Sequence, residues 1–169
     1  MRNRPVLSPT SKELTTQLRN ATPEDIPSIL ALAGGSPTVN WSEQAYQAVF
    51  QPGAPDRVLW VIEDEGALRA FLIARFSQAE CELENLVVAA THRRRGFGTN
   101  LLTSLIASAG QRNVGRIFLE VRESNMSARL LYEKLGFQLS GRRKAYYRDP
   151  QEDAFIFVLN CTGSSADNR

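Results

Sequence analysis

Six consecutive residues, Arg93 to Gly98, have side chains and spacing suited to holding a phosphate group. They stand between a strand-like run, Leu83 to Ala89, and a helix-like run that begins near Thr99. Glycines at a helix start leave backbone N–H groups free, and these groups and the helix dipole favour an anion. The arginines add charge-assisted contacts. Because the stretch is neither a Walker loop nor the dinucleotide fingerprint, by itself it indicates either a phosphate cradle or a structural turn.

Two further residues have side chains that could move protons. Glu120 lies inside an apolar, strand-like run, where a carboxylate is unfavourable unless it is paired or used, and where it would suit a general base. The alternative is a solvated position on an edge strand. Tyr132 follows Asn125 by seven residues on one helix, so the two share a face. It is either a core tyrosine or a phenol that donates a proton to a departing thiolate.

Composition limits the class of protein. The chain has 169 residues, 43% of them hydrophobic and 22% charged, which predicts one globular domain with a real core. A net charge of only +2 argues against broad nucleic-acid binding. The chain has two cysteines, Cys81 and Cys161, which form no disulfide framework and show no metal-site spacing. Its one histidine, His92, argues against a transition-metal site and a Ser-His-Asp triad. His92 is most simply a solvated loop residue.

The segment pattern predicts an alternating α/β domain over 15–161, with loose tails at 1–14 and 162–169. Strands are expected at 15–20, 57–63, 68–76, 80–89, 116–121, 137–142 and 154–159. Helices are expected after Thr22 and Ser42, over 96–111, and from Asn125 to Gly136. This order predicts a mixed sheet with helices on both faces. No signal peptide or membrane-length apolar run is found, so a cytoplasmic protein is expected.

Three strings carry a family resemblance, and they are Arg93-x-x-Gly96-x-Gly98, Leu119-Glu120-Val121-Arg122-x-Ser124-Asn125 and Leu131-Tyr132-x-x-Leu135-Gly136-Phe137. They resemble the GNAT acetyltransferases, and within them the RimI-type ribosomal-protein-alanine N-acetyltransferases. Shorter strings are similar to that subfamily as well, namely Trp41-Ser42-Glu43, Asn85-Leu86-Val87-Val88, Tyr146-Tyr147 and Glu152-Asp153-Ala154. The resemblance spans about residues 15 to 160.

The resemblance implies a mixed, mostly antiparallel sheet of about seven strands, splayed in the middle and flanked by about four helices. It implies transfer of acetyl from acetyl-CoA, a co-substrate, to an amine without a metal. The residues implied for the cofactor are Leu86, Val87 and Val88 for pantetheine, Arg93, Arg94, Arg95, Gly96, Phe97, Gly98 and Thr99 for the pyrophosphate, and Asn125. Glu120 would be the general base and Tyr132 the general acid, with no covalent enzyme intermediate.

The implied acceptor is the N-terminal α-amine of a protein such as a ribosomal protein, lying against Trp41, Tyr146 and Tyr147. The two tyrosines are expected in the loop between the last two strands. The chain departs from the family pattern at Asn40, where a proline is usual, and at Gly34-Gly35-Ser36-Pro37. A lysine side chain, a small amine, or a non-catalytic acyl-CoA-binding module therefore remain alternatives. No nucleic-acid or membrane partner is expected, and the chain is expected to be a monomer or weak dimer.

Overall fold

The computed structural model describes residues 15–36 and 41–161, and this part contains seven strands and four α-helices. The strands are β1 Gln17–Asn20, β2 Arg57–Asp64, β3 Ala67–Ser77, β4 Glu80–Val88, β5 Arg116–Arg122, β6 Gln138–Arg148 and β7 Gln151–Asn160. The helices are α1 Ile26–Gly34, α2 Glu43–Ala48, α3 Phe97–Gln111 and α4 Met126–Lys134. The expected tails, 1–14 and 162–169, lie outside the described residues, as do Pro37 and Asn40.

All seven strands form one sheet in the order β1-β2-β3-β4-β5-β7-β6. Neighbouring strands are antiparallel except for β4 and β5, which are parallel. A parallel pair needs a crossover connection, and α3 supplies it between β4 and β5. The predicted mixed, mostly antiparallel sheet is confirmed.

Helices cover both faces of the sheet, as predicted. On one face α3 packs through a row of fully buried leucines, Leu101, Leu102 and Leu105, into the larger core cluster. On the other face α1 and α2 bury Ile29 and Tyr46 against β2 and β3. The sheet therefore separates two apolar layers.

The predicted helix caps are present. The backbone N–H of Thr22 donates to the Asp25 carboxylate at 2.9 Å, and a short 3₁₀ turn, Pro23–Asp25, leads into α1. The Ser42 hydroxyl accepts from the backbone N–H of Ala45 at 3.2 Å at the start of α2. Such caps satisfy N–H groups that the helix cannot, and they set where each helix begins.

The predicted position of Tyr146 and Tyr147 was wrong, because both belong to β6 and not to a loop. β6 is an edge strand and is exposed along most of its length, so it lacks the apolar alternation by which strands are recognised. It is also irregular between Arg143 and Tyr147. Among the described residues, no helix has the length and apolar character needed to cross a membrane.

Candidate active site

The sheet opens between β4 and β5. The parallel ladder pairs residues 80–83 with residues 116–119 and ends at Leu83 and Leu119. In the adjoining ladder, Leu83 lies opposite Ala74 while Asn85 lies opposite Ile73, so Glu84 is an extra residue on β4. A bulge of this kind bends its strand and increases the local twist. The second half of β4 therefore has β3 as its strand partner but is not paired with β5.

The bulge also changes which side chains face each layer. Leu86 and Val88 pack on the α3 side, whereas Val87 is buried on the α1–α2 side. These three residues border the opening on β4, opposite Glu120 to Arg122 on β5. An unpaired strand edge with alternating pockets can accept an extended ligand as an added strand.

The loop before α3 has the backbone of an anion site. Arg94 and Gly96 have φ angles of 62° and 84°, in the left-handed region, and α3 begins at Phe97. Asn100 donates to the Gly96 carbonyl at 2.9 Å, and the N–H groups before it lack intrahelical acceptors. The two glycines differ in purpose: Gly96 is needed for its φ angle, since a Cβ there would meet nothing within 4 Å.

At Gly98 the absence of a side chain matters for packing. A Cβ at this position would lie 3.0 Å from Cδ2 of Leu131 on α4 and 3.8 Å from Cγ2 of Val88. Gly98 therefore allows α4 and the end of β4 to approach the first turn of α3. This close approach brings together the three elements that border the opening.

The three arginines of the loop do not share one environment. The guanidinium of Arg95 lies 3.3 Å from the buried carboxylate of Asp64 at the end of β2, and 5.4 Å from the ring centre of Phe97. Arg93 and Arg94 are exposed and make no ion pair within the part of the chain that is described. Two arginines are thus available to an anion, while Arg95 ties the loop to β2.

Glu120 is neither buried nor free. Its carboxylate lies 2.6 Å from Nε of Arg143, and the side chain retains 22% of its exposure. A hydrogen bond from the phenol of Tyr146 also reaches this carboxylate and raises the pKa of Tyr146. Glu120 therefore holds a cation and a phenol on the face that α1 and α2 leave open.

Tyr132 is almost fully buried and lies on the opposite face of β5. Its ring packs 5.8 Å from Phe137 and 6.2 Å from Phe157, and it belongs to the same core as Val121. Burial raises the pKa of Tyr132 well above its usual value, with a smaller effect of Tyr147. The hydroxyl forms no hydrogen bond with the described residues, so a protonated phenol is held in an apolar setting.

Tyr147 lies on the Glu120 face of the sheet, beside Arg122. Burial, followed by the charge of Glu120, raises the pKa of Tyr147 to about 12. The charge that Tyr147 would carry adds a smaller rise to the pKa of Tyr132. Successive side chains of β5 face opposite sides of the sheet, so Glu120 lies on one side and Val121 on the other, in the same core as Tyr132 of α4. The carboxylate and the phenol therefore lie on opposite faces of β5.

Two other predicted site residues have structural partners. The Asn125 side-chain oxygen caps α4 by accepting from the Ala128 N–H at 3.3 Å. Trp41 packs 5.3 Å from Tyr46, and the guanidinium of Arg57 lies 5.4 Å from the Trp41 ring centre. Arg57 also forms two hydrogen bonds, at 2.8 and 2.9 Å, with the Glu84 carboxylate at the bulge. Trp41 is therefore joined to the edge of the opening.

Sequence reasoning missed a buried arginine next to this site. Arg122 donates to two carbonyl oxygens of the β6–β7 turn at 3.2 and 3.3 Å, lies 3.3 Å from the Glu152 carboxylate, and stacks 4.1 Å from the Tyr147 ring centre. Glu152 in turn accepts from the backbone N–H of Ser124 just before α4. Arg122 thus links the turn, Tyr147 and the start of α4. The available signal was a charged residue in an apolar strand, the same signal that identified Glu120.

Comparison with known proteins agrees with this geometry. The sequence pattern of the "Acetyltransferase (GNAT) family" matches residues 26–137. The chain is 34% identical over 138 residues to the [ribosomal protein bS18]-alanine N-acetyltransferase of Escherichia coli strain K12, covering 80% of this chain and 90% of that protein. It is 44% identical over 91 residues to the Haemophilus influenzae protein of the same name, covering 52% and 62%.

Solved structures show the same fold. The crystal structure of the ribosomal-protein-S18-alanine N-acetyltransferase from Escherichia coli superposes with a TM-score of 0.80 at 28% identity, covering 92% of this chain and 99% of that one. Arabidopsis thaliana NAA60 in complex with acetyl-CoA superposes with a TM-score of 0.78 at 20% identity, covering 88% and 100%. The chain belongs to the GNAT family and is an acetyltransferase.

Proposed function

We propose that this enzyme moves the acetyl group of acetyl-CoA to the N-terminal α-amine of a protein, and that residues 15–161 form the catalytic domain. The observation that carries the proposal is the opening between β4 and β5, with Glu120 and Tyr132 on its opposite faces. The relatives are named as alanine N-acetyltransferases of ribosomal protein bS18, and these names support a protein N-terminus as the acceptor.

The residues around the opening fit acetyl-CoA. The N–H groups at the start of α3 would hold its pyrophosphate, since the left-handed backbone at Arg94 and Gly96 exposes them beside two exposed arginines, Arg93 and Arg94. Leu86, Val87 and Val88 would hold the pantetheine along the unpaired edge of β4. When bound, acetyl-CoA supplies the acyl carbon and a thiolate leaving group.

Two proton movements remain for the protein. An α-ammonium group has a pKa near about 8 and is largely protonated at neutral pH, so it must lose a proton before it attacks. Glu120 takes that proton, directly or through water. Tyr132 then donates its proton to the departing sulfur, the second proton that the nitrogen loses on becoming an amide restores the phenol, and Glu120 releases its proton to solvent. Burial raises the pKa of Tyr132, which makes the phenol a weaker acid but keeps it protonated, and therefore able to donate, at neutral pH.

Aromatic residues on the Glu120 face supply a groove for the acceptor. Tyr146 and Tyr147 pack with ring centres 5.2 Å apart, and Trp41 lies on the same face of the sheet beyond the bulge. An extended chain terminus is narrow enough to lie between such walls and to bring its nitrogen to Glu120. A lysine side chain or a small amine is the second candidate acceptor, because either group could fit in the same groove and bring its nitrogen to Glu120.

A thiol-release assay with acetyl-CoA and a peptide panel tests the proposal. One peptide has a free alanine N-terminus and no lysine, a second is the same peptide N-acetylated, and a third is N-acetylated with an internal lysine. We expect release with the first and none with the second or third. Thiol release with the third peptide would show that the acceptor is a lysine side chain and not the N-terminal amine. Tight CoA binding with no release for any amine would leave a non-catalytic acyl-CoA-binding protein.

A matched variant checks the role of Glu120. Glu120→Gln keeps the size of the side chain and its contact with Tyr146 but cannot accept the proton. Loss of a general base costs about 10²- to 10⁴-fold in rate. We therefore expect kcat to fall by at least about 10²-fold with unchanged CoA affinity. An unchanged kcat would remove Glu120 from the mechanism.

A further inference from the structure

The carboxylate proposed as the base already holds a cation. Nε of Arg143 lies 2.6 Å from Oε1 of Glu120, a short charge-assisted contact. The cation proposed to approach the same carboxylate is the acceptor ammonium. A guanidinium and an ammonium compete for the same carboxylate oxygen, because like charges at such separations repel.

Arg143 is placed where it can move away. Its side chain is 56% exposed, whereas that of Glu120 is 22% exposed and belongs to an inner strand of the sheet. β6 is one of the two edge strands of the sheet, so it has a strand partner on one side alone. Of the two partners, the arginine can rotate into solvent and the glutamate cannot.

The backbone next to Arg143 is irregular. Arg143 pairs with Ala154 and Tyr147 with Glu152, so four steps along β6 match two along β7, and β6 carries two extra residues. Within this bulge Ala145 has a φ of 50°, and its N–H donates to the Asp153 carboxylate at 2.7 Å. Left-handed φ angles at residues other than glycine cost energy and persist where the surroundings hold them. The bulge directs Arg143 and Tyr146 to the same carboxylate.

We propose that Arg143 occupies Glu120 in the free enzyme and that a cationic amine must displace it to reach the site. The inference rests on the proposed function of Glu120. Exchange of one cation for another keeps the half-buried carboxylate paired throughout, which avoids an uncompensated charge. It also favours protonated amines over neutral nucleophiles such as alcohols, since a neutral group gains too little to displace a guanidinium.

Arg143→Gln tests the exchange, with Lys144→Gln as the matched control. Lys144 lies in the same bulge, is exposed, and forms no ion pair within the described segments, so its removal changes the net charge equally. kcat and KM are measured with the free-alanine peptide at saturating acetyl-CoA. Partly exposed ion pairs change an equilibrium by about twofold to fivefold. We expect the peptide KM of Arg143→Gln to fall by about that factor with kcat within about twofold.

The conservative variant and the control distinguish the proposed cation exchange from a purely structural role of Arg143. Arg143→Lys is expected to restore a KM near that of the unsubstituted enzyme, because the cation is retained, and Lys144→Gln to leave KM unchanged. A KM for Arg143→Gln that is unchanged or raised, or a kcat lowered by about tenfold or more, overturns the exchange.

Failure of the proposed function gives a different result. If the unsubstituted enzyme releases no thiol with any amine, the peptide affinity of the CoA-loaded protein is measured by calorimetry. Tighter peptide binding by Arg143→Gln than by Lys144→Gln then supports the exchange without catalysis. Equal binding by the two variants overturns it.

Discussion

Replacement of Tyr132 by phenylalanine separates the proposed proton donor from its structural role. The ring packs 5.8 Å from Phe137 and 6.2 Å from Phe157, and phenylalanine keeps these contacts. The hydroxyl makes no hydrogen bond with the described residues, so its removal leaves no new buried polar group. We expect the free energy of unfolding to change by less than about 1 kcal/mol.

The rate should respond much more than the stability. General acid catalysis contributes about 10²- to 10⁴-fold. The departing thiol has a pKa near about 8.5, so it needs less help than an alkoxide, and the lower end of that range applies. We expect kcat of Tyr132→Phe to fall by about 10²-fold, equivalent to about 2.7 kcal/mol of activation free energy, with CoA affinity nearly unchanged.

The pH profile adds a second criterion. Burial raises the pKa of Tyr132 far above the working range, so the phenol stays protonated throughout about pH 6 to 9. Tyr132→Phe should therefore lower kcat by the same factor at every pH and leave the shape of the profile unchanged. The assay is thiol release at saturating acetyl-CoA and peptide across this range.

Tyr147→Phe is the matched control, because it removes a second raised-pKa phenol from the same site. Tyr147 contacts Arg122 and lies on the acceptor side, so its loss should raise the peptide KM more than it lowers kcat. A Tyr132→Phe enzyme with a normal kcat, or with a kcat loss matched by Tyr147→Phe, would refute the assignment of Tyr132 as the acid.

Three further outcomes are expected. Gly98→Glu should raise the Kd for CoA by about tenfold or more in calorimetry, because it puts bulk and negative charge at the start of α3. Gly110→Glu, at the open far end of the same helix, should leave the Kd unchanged, and equal affinities of the two variants would refute the assignment of the loop to CoA binding. Burial raises the pKa of the Cys81 thiol from 9.0 to about 12, so the folded state holds a proton that the unfolded state releases, and stability falls as pH rises through this window. Cys81→Ala should reduce the slope of the unfolding free energy there by up to about 1.4 kcal/mol per pH unit in urea titrations, and an unchanged slope would contradict this origin. Asp64→Asn should lower the free energy of unfolding by about 1–3 kcal/mol at unchanged urea m-value, because it removes the buried anion that pairs with Arg95 and accepts from the Thr16 hydroxyl. An unchanged midpoint would show that these contacts contribute nothing to stability.

Much of the architecture could be predicted because each element carries its own local signal. The continuous apolar runs of β2 and β3, the leucine face of α3 and the capping residues Thr22 and Ser42 are properties of short segments. Their order implies a mixed sheet covered on both faces, and the structure confirms that arrangement. The boundaries agree within a few residues except on β6.

β6 shows why local signals fail at an edge. Both of its faces are largely exposed, so burial does not impose alternation on the sequence, and Arg142 to Lys144 resembles a solvated loop. Its pairing with β7 is established by long-range backbone contacts that no short window contains. The location of Tyr146 and Tyr147, and the contact of Arg143 with Glu120, depend on that pairing.

The sequence by itself determined which residue types were available for chemistry: a glycine-rich helix start, a carboxylate in an apolar strand, and a tyrosine on a helix face. The tertiary structure alone decided how they are used. In the folded chain Arg95 pairs with Asp64, Gly98 allows α4 to pack closely on α3, and Arg143 pairs with Glu120. The physical reason is that charge pairing and close packing depend on distances between segments far apart in the chain, and only the register of the folded sheet sets those distances.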